Sequence, residues 1–586
     1  MLQNKKKSQP VLSCKTWTTL LFFVLFAGLQ NLHAQRTIVV ESDDFPSVGA
    51  LNHAIEGDTL ENGDRVDPNT IYVLKRDATY WTDASIVNDG YHLTIIAEEG
   101  GGHPPIIRPA SDATGSSSRI FTTEGDITLK GLYISHLTDM GDTQQNVIRS
   151  VADHARIVID NCWMEFDRQS FVRTNGDRNS VFITNSQMRN SGRNDISGNG
   201  RIIDTRSTNL DTLFMENNSF YNLLAVGIRS EGGPMKYVVS NHNTWVDMGE
   251  WFQLHAAIEL HWTNNLIINA GWRGIALNTE MVPGETVIEP NNSGVISIRS
   301  MDDYEGISDQ DRTLVVSYNN LNHSWQEEIF DDGTEHGRPL LFPFHDKIQA
   351  VYDSANDPLV VMNPALGDSI TMDMWRRGLI QFENNIWEKE EDLQFADRPD
   401  IDVVAAFLEA IRLHPDKPEE FPMLFDRPIT DPTKFIEGAS LADWRDFTYS
   451  RDAVSFTAGQ GGYPLGDLNW FPDLKEKWEA GVELTSVREP EAIAESFKLI
   501  GNYPNPFNPT TQIEFTLPEQ SDVVLEIYDI TGRRVNTLMN DNLSTGTYTV
   551  SWDATNQSGQ TVSSGVYIYR LQAGSFVETK RMVFIK

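Results

Sequence analysis

IVIDNCWM at Ile157–Met164, VFITNSQM at Val181–Met188, LFMENNSF at Leu213–Phe220, YVVSNHNTW at Tyr237–Trp245 and HWTNNLII at His261–Ile268 share one pattern. A β-rich run leads into asparagine and then, within a few residues, into a large apolar side chain. VVSYNNL at Val315–Leu321 and IQFENNIW at Ile380–Trp387 continue it. Taking the first asparagine of each gives Asn161, Asn185, Asn217, Asn241, Asn264, Asn319 and Asn384, with separations of 24, 32, 24, 23, 55 and 65. A period in the low twenties with short β-runs and no helical pattern predicts a solenoid, each turn stacked on the last. The L-x-x-L-x-L scaffold of leucine-rich repeats is missing. An asparagine at the same bend of every rung can bond backbone and the asparagines above and below it, so these residues read as structural. Trp163, Phe220, Trp245 and Trp387 read as a stacked aromatic column in the core.

These rungs resemble the right-handed parallel β-helix family that includes pectate and pectin lyases, over roughly Arg36 to Asn385. GALNHAI at Gly49–Ile55 is similar to the short helix that caps the first rung, and Thr70–Trp81 and Tyr91–Glu99 to the opening strands. The fold hosts lyases, hydrolases, esterases and non-catalytic adhesins, so it names no reaction.

Twelve residues before the rung asparagines stand Arg149, Arg173 and Arg229, and Arg206 if Asn218 is the equivalent in its rung, in VIRS, FVRT, GIRS and DTRS. With Ile148, Val172 and Ile228 facing in, strand alternation turns the arginines out. Stacking then sets four guanidinium groups in a row at about 4.8 Å per rung. Like charges so close need a negative partner. Two readings stay open. Acids near in sequence (Asp153, Asp177, Asp204, Glu231) pair with the row as an ion-pair ladder, or the row grips an acidic polysaccharide through paired hydrogen bonds.

The lyase resemblance implies an arginine or lysine base and calcium held by carboxylates. By that resemblance Arg206 or Arg229 is the candidate base and Asp195 or Asp204 a candidate calcium ligand, though no specific motif surrounds them. β-Elimination on uronate glycans ranks ahead of glycoside hydrolysis; the alternative is a non-catalytic, adhesin-like glycan binder. His242 reads as a satisfied core histidine. No phosphate loop, dinucleotide fingerprint, serine-hydrolase elbow or zinc constellation occurs.

The ends of the chain carry addresses. Lys5–Lys7, the apolar run Leu20–Leu29 and Leu32-His33-Ala34 form a secretory signal over 1–34, too short to span a bilayer. From Phe497 the chain reads as a small β-sandwich with turns every eight to twelve residues. It closely resembles the type A C-terminal sorting domain of type IX secretion cargo from Bacteroidetes and their relatives. The residues carrying this are Tyr503, Pro504, Asn505, Pro506, Phe507, Asn508 and Pro509, the Asp529–Arg533 turn, Gly546-Thr547-Tyr548, Gly565-Val566-Tyr567 and Lys580–Lys586. The resemblance implies secretion machinery and its sortase as partners, and export through the periplasm to the cell surface or beyond.

The expected organisation is a signal at 1–34, the β-helix at 35–395 and a cap over its open end at 396–481. A linker at 482–495 and the sorting domain at 496–586 complete an all-β, monomeric chain. The 586 residues carry 47 Lys plus Arg against 83 Asp plus Glu, a formal net charge of -36, which argues against a nucleic-acid partner bound by overall electrostatics. Beyond the signal Cys162 is the one cysteine, so no internal disulfide can form.

Overall fold

The structure is a computed structural model that describes residues 35–192, 199–206, 208–230, 233–249, 252–271, 296–302, 306–321, 324–329, 335–340, 369–386, 388, 390–413, 445–482, 484, 497–503, 511–518, 521–529, 533–543, 546–552, 554–557, 560–574 and 576–584. The chain divides into two units, Met1–Leu484 and Thr485–Lys586.

The first unit is a right-handed parallel β-helix. The rungs pass through an eleven-stranded first sheet, an eight-stranded second sheet and a six-stranded third sheet, and several rungs have no strand in the second or third. All strand pairs within these sheets are parallel, for example Ile157↔Val181↔Leu213↔Val238↔Leu260↔Leu314↔Ile380 in the first. Because side chains alternate, every second residue enters the interior and stacks on its equivalent one rung away. Phe220 and Trp245 meet at 4.1 Å between ring centroids, and Phe252 sits 4.5 Å from Trp262. The helix Ala50–Glu56 closes the first rung with Leu51 and Ile55 in the core.

The bend between the first and second sheets uses two adjacent residues with different tasks. Asn161, Asn185, Asn217, His242, Asn264, Tyr318 and Asn384 hold φ between 52° and 57°, the left-handed conformation that asparagine tolerates best. The next residue in each rung points inward. There Asn218 Nδ2 donates to Asn243 Oδ1 at 2.8 Å, Asn243 Nδ2 to Asn265 Oδ1, Asn265 Nδ2 to Asn319 Oδ1 and Asn319 Nδ2 to Asn385 Oδ1. The backbone N–H of Asn218, Asn243, Asn265 and Asn319 also donates to the next amide oxygen. Cys162 and Ser186 continue the column into the earlier rungs, where Cys162 N donates to Ser186 Oγ. The stacked asparagines anticipated from sequence therefore exist, but Asn241 and Asn319 do not share a position with Asn161. In those two rungs the left-handed residue is His242 or Tyr318. Parity also corrects Trp163. It pairs in register with Gln187 on the outward side, while Met164, Met188, Phe220 and Trp245 form the inward column. Trp387 lies outside the described residues.

Residues 388–482 include the helix Ile401–Leu413. Their described part from 445 onward runs along the side of the solenoid, over the second sheet's outer face. Phe447, Tyr449, Leu465 and Phe471 pack with Tyr221, Val246 and Ile268. Polar ties fasten the segment: Ser219 Oγ donates to Asp467 Oδ2 at 2.8 Å, and Asn469 Nδ2 to the Asn217 carbonyl. His242 lies beneath it, its Nδ1 3.3 Å from the Gly466 carbonyl and its ring edge-on to Trp478.

The second unit pairs a three-stranded and a four-stranded antiparallel sheet over Phe515, Leu525, Trp552 and Tyr569. The Ig-like sandwich expected from sequence is present.

Two outcomes follow from the bend. Asn265→Ala strips the partner from the Asn243 amide and Ser240 Oγ inside the core, and urea melts should show a loss of about 2–4 kcal/mol. Burial pushes the His242 imidazole down to about 3 from 6.5, so the unfolded chain binds a proton that the folded one refuses and stability falls as pH drops through that window. His242→Asn, the residue other rungs use there, should gain on the parent by about 1.4 kcal/mol per pH unit over that window in pH-dependent melts. The Asp467 carboxyl, raised to about 6 by burial, works in the opposite sense but is common to both proteins.

Candidate functional site

The third sheet presents one outward column in continuous register: Val87, Thr122, Arg149, Arg173, Asp204 and Arg229. The residues before them, Ile86, Phe121, Ile148, Val172, Ile203 and Ile228, are buried. Arg149 and Arg173 are thus neighbours across one rung, and Arg229 lies two levels beyond Arg173. The third level is held by Asp204, so Arg206 is not in the row. Two single-residue offsets explain the slip: the count began at Asn218, one residue past the bend at Asn217, and a β-bulge adds the second. Asn179 pairs with Leu210 but Ser180 with Thr212, so Asp211 is an extra residue between column and bend, and the same spacing persists in the next rung. Arg229 was placed correctly because its count started from Asn241, one residue before the true bend.

The local electrostatics differ from level to level. Arg149 Nε donates to Asn175 Oδ1 at 3.2 Å and Arg173 Nη1 to Gln169 Oε1 at 2.8 Å, both neutral acceptors. Arg119 lies close enough that, after burial, the Arg149 charge is what lowers its pKa. Asp204 is fully buried, with Oδ2 3.5 Å from Arg201 Nη1 and 3.3 Å from Arg206 Nε. The row therefore contains an acid of its own, which half answers the choice between ladder and groove. Asp153 and Asp177 serve the backbone instead, accepting the N–H of Asp177 and of Asn209 one rung away. Glu231 and Asp195 lie outside the described residues.

Among the described residues no group of three or more His, Cys, Asp or Glu side chains is placed to hold a metal, and Asp204 already faces two guanidinium groups. Arg206 as a base meets the same obstacle, since its Nε lies against that carboxylate. Arg229 is half-buried in the row.

Sequence reasoning missed a buried ionic layer on the second sheet. Glu165 and Arg189 are register partners joined at 2.7 Å, Tyr133 OH bonds Glu165, and His136 lies 3.3 Å from Asp167, all essentially without exposure. Asp247 is clamped by Arg398 at 3.0 Å, with Glu390 on the same guanidinium. An acid and a base 24 residues apart, one rung, was the available signal. Sealed from solvent, these groups fasten loops to the sheet. An open cleft of about 560 Å³ on the last rung, lined by Glu388, Asp392, Ser450 and Asp452, is acidic and shares no residue with the arginine column.

Residues 505–575 match the family of the FlgD Ig-like domain. The described part of the Tyr503–Pro509 motif is Tyr503 alone, at the end of the strand Lys498–Tyr503. No curated protein matches the chain. Among solved structures, dimeric latent PorU from Porphyromonas gingivalis is 25% identical over 14% of this chain and 9% of its own, with a TM-score of 0.13. PorZ, described as an essential surface component of the type IX secretion system of the same organism, is 23% identical over 18% and 13%, with a TM-score of 0.12. The chain spans a small fraction of either structure.

Proposed function

We propose that this is an exported surface β-helix protein that holds an acidic polysaccharide along its arginine face without transforming it. The observation that carries the reading is the register pair Arg149 and Arg173, half-buried, one rung apart and each steadied by a neutral amide. Guanidinium groups match carboxylates with paired hydrogen bonds, and two at one-rung spacing suit successive anionic groups of an extended chain. A lyase of this kind needs a base beside a metal-held carboxylate, and among the described residues no three acidic, thiol or imidazole side chains gather to hold a metal. Export rests on the signal at 1–34, the Tyr503–Pro509 stretch and the Ig-like fold of the C-terminal unit, which together fit type IX secretion and removal by its sortase. On this reading 35–395 is the binding solenoid, 396–481 its support, 482–495 the linker and 496–586 the address.

Polygalacturonate is the probe. The parent should bind it, and Arg149→Ala/Arg173→Ala should weaken binding about tenfold or more while melting stays within about 2 °C. A lower melting temperature with unchanged binding marks a structural ladder instead. With calcium present, no unsaturated uronate should accumulate in ultraviolet absorbance; its appearance converts the binder into a lyase.

A further inference from the structure

We infer that Arg119 and Arg149 form one anion subsite at the start of the arginine face, where a single carboxylate of the polysaccharide lies between two guanidinium groups. The inference rests on the binding role just proposed and adds Arg119 to it.

Arg119 stands two residues before the strand Phe121–Glu124. That strand pairs with the strand of Arg149, Phe121 against Ile148 and Thr122 against Arg149. The two arginines therefore approach from neighbouring rungs, and both are half-buried. Burial and then the Arg149 charge push the Arg119 pKa below its usual value, and no carboxylate offsets them. Among the described residues Arg119 has neither a hydrogen bond nor an ion pair. Arg149 has no ion pair either; its Nε is spent on Asn175 Oδ1, which leaves both terminal nitrogens. The column position beside Arg149 is Thr122, whose hydroxyl lies 2.9 Å from Ser85 Oγ and carries no charge. In a chain with 83 acidic residues against 47 basic ones, this pair is left without a carboxylate. Like charges held close and partly out of water repel. An anion placed between them removes that repulsion and accepts charge-assisted hydrogen bonds from both. The donors left over, one whole fork and the tip of another, are the set that a carboxylate takes in paired hydrogen bonds.

The test compares polygalacturonate affinity and melting for the full chain and its variants. Arg119→Gln should weaken binding about fivefold or more, while the ligand-free protein melts at the parent's temperature or slightly above it, because a repulsion has been lifted. Arg149→Gln should weaken binding comparably. The double variant should lose less than the product of the two single losses, because both arginines hold one carboxylate. Fully methyl-esterified polygalacturonate, which lacks the charge, should not distinguish the parent from Arg119→Gln. Arg119→Met keeps a similar apolar stem and carries the same expectations should the glutamine variant fold poorly. Parent-like binding by Arg119→Gln, single losses that multiply in the double variant, or ligand-free melting lowered in both Arg119→Gln and Arg119→Met overturns the inference. Arg149→Ala/Arg173→Ala separates the two ideas. If that variant loses binding while Arg119→Gln does not, this inference alone fails; if the parent does not bind, both fail.

Discussion

Everything in the solenoid depends on one bend. At each passage from the first sheet to the second, the chain must turn a corner in two residues without leaving a buried amide unpaired. The solution is a left-handed residue followed by an inward side chain whose amide reaches the next rung. The inward asparagines Asn243, Asn265, Asn319 and Asn385 each satisfy a backbone N–H and a side-chain amide of the preceding rung. A buried polar group in such a place is costly when unmatched and specific when matched. The ladder therefore locks register, since a slip by one residue would move every inward amide away from its partner one rung on.

Locked register has an electrostatic consequence. Equivalent residues stack along the whole solenoid, so a column of one charge type repels itself unless its members are spaced or neutralised. The chain uses three devices. Glu165 faces Arg189 in adjacent rungs of the second sheet, which closes the charge internally. Asp247 takes Arg398 from a distant segment, which ties 388–482 to the solenoid. On the third sheet Asp204 enters the arginine row and gathers Arg201 and Arg206. The first two are sealed from solvent, whereas the third keeps half-buried guanidinium groups on a protein that is otherwise strongly acidic.

Much of this was legible in the chain itself. The period, the β-runs, the asparagines and the parity of Ile148, Val172 and Ile228 were read from spacing, because a stacked rung has to repeat the same chemistry at the same interval. What escaped depended on single-residue offsets. Asp211 bulges from its strand and the bend lies at Asn217 rather than Asn218, so counting back twelve from Asn218 missed Asp204 by two residues and landed on Arg206. YVVSNHNTW offers two asparagines, and only the fold distinguishes Asn241, outside the bend, from Asn243 within it. Trp163 looked like a core aromatic, but one residue of phase puts it on the outer face.

The sequence by itself determined the repeat, the all-β class, the Ig-like C-terminal unit and the two in-register arginines, since these follow from local periodicity and turn chemistry. The tertiary structure alone decided that the residues after the last rung run along the second sheet, that Asp204 interrupts the arginine row and that His242 is buried under Gly466 and Trp478. Those facts come from contacts between segments up to some 250 residues apart, such as Ser219 with Asp467. Local spacing says nothing about which outer face a distant segment will cover, because many apolar columns compete for it and packing complementarity chooses among them.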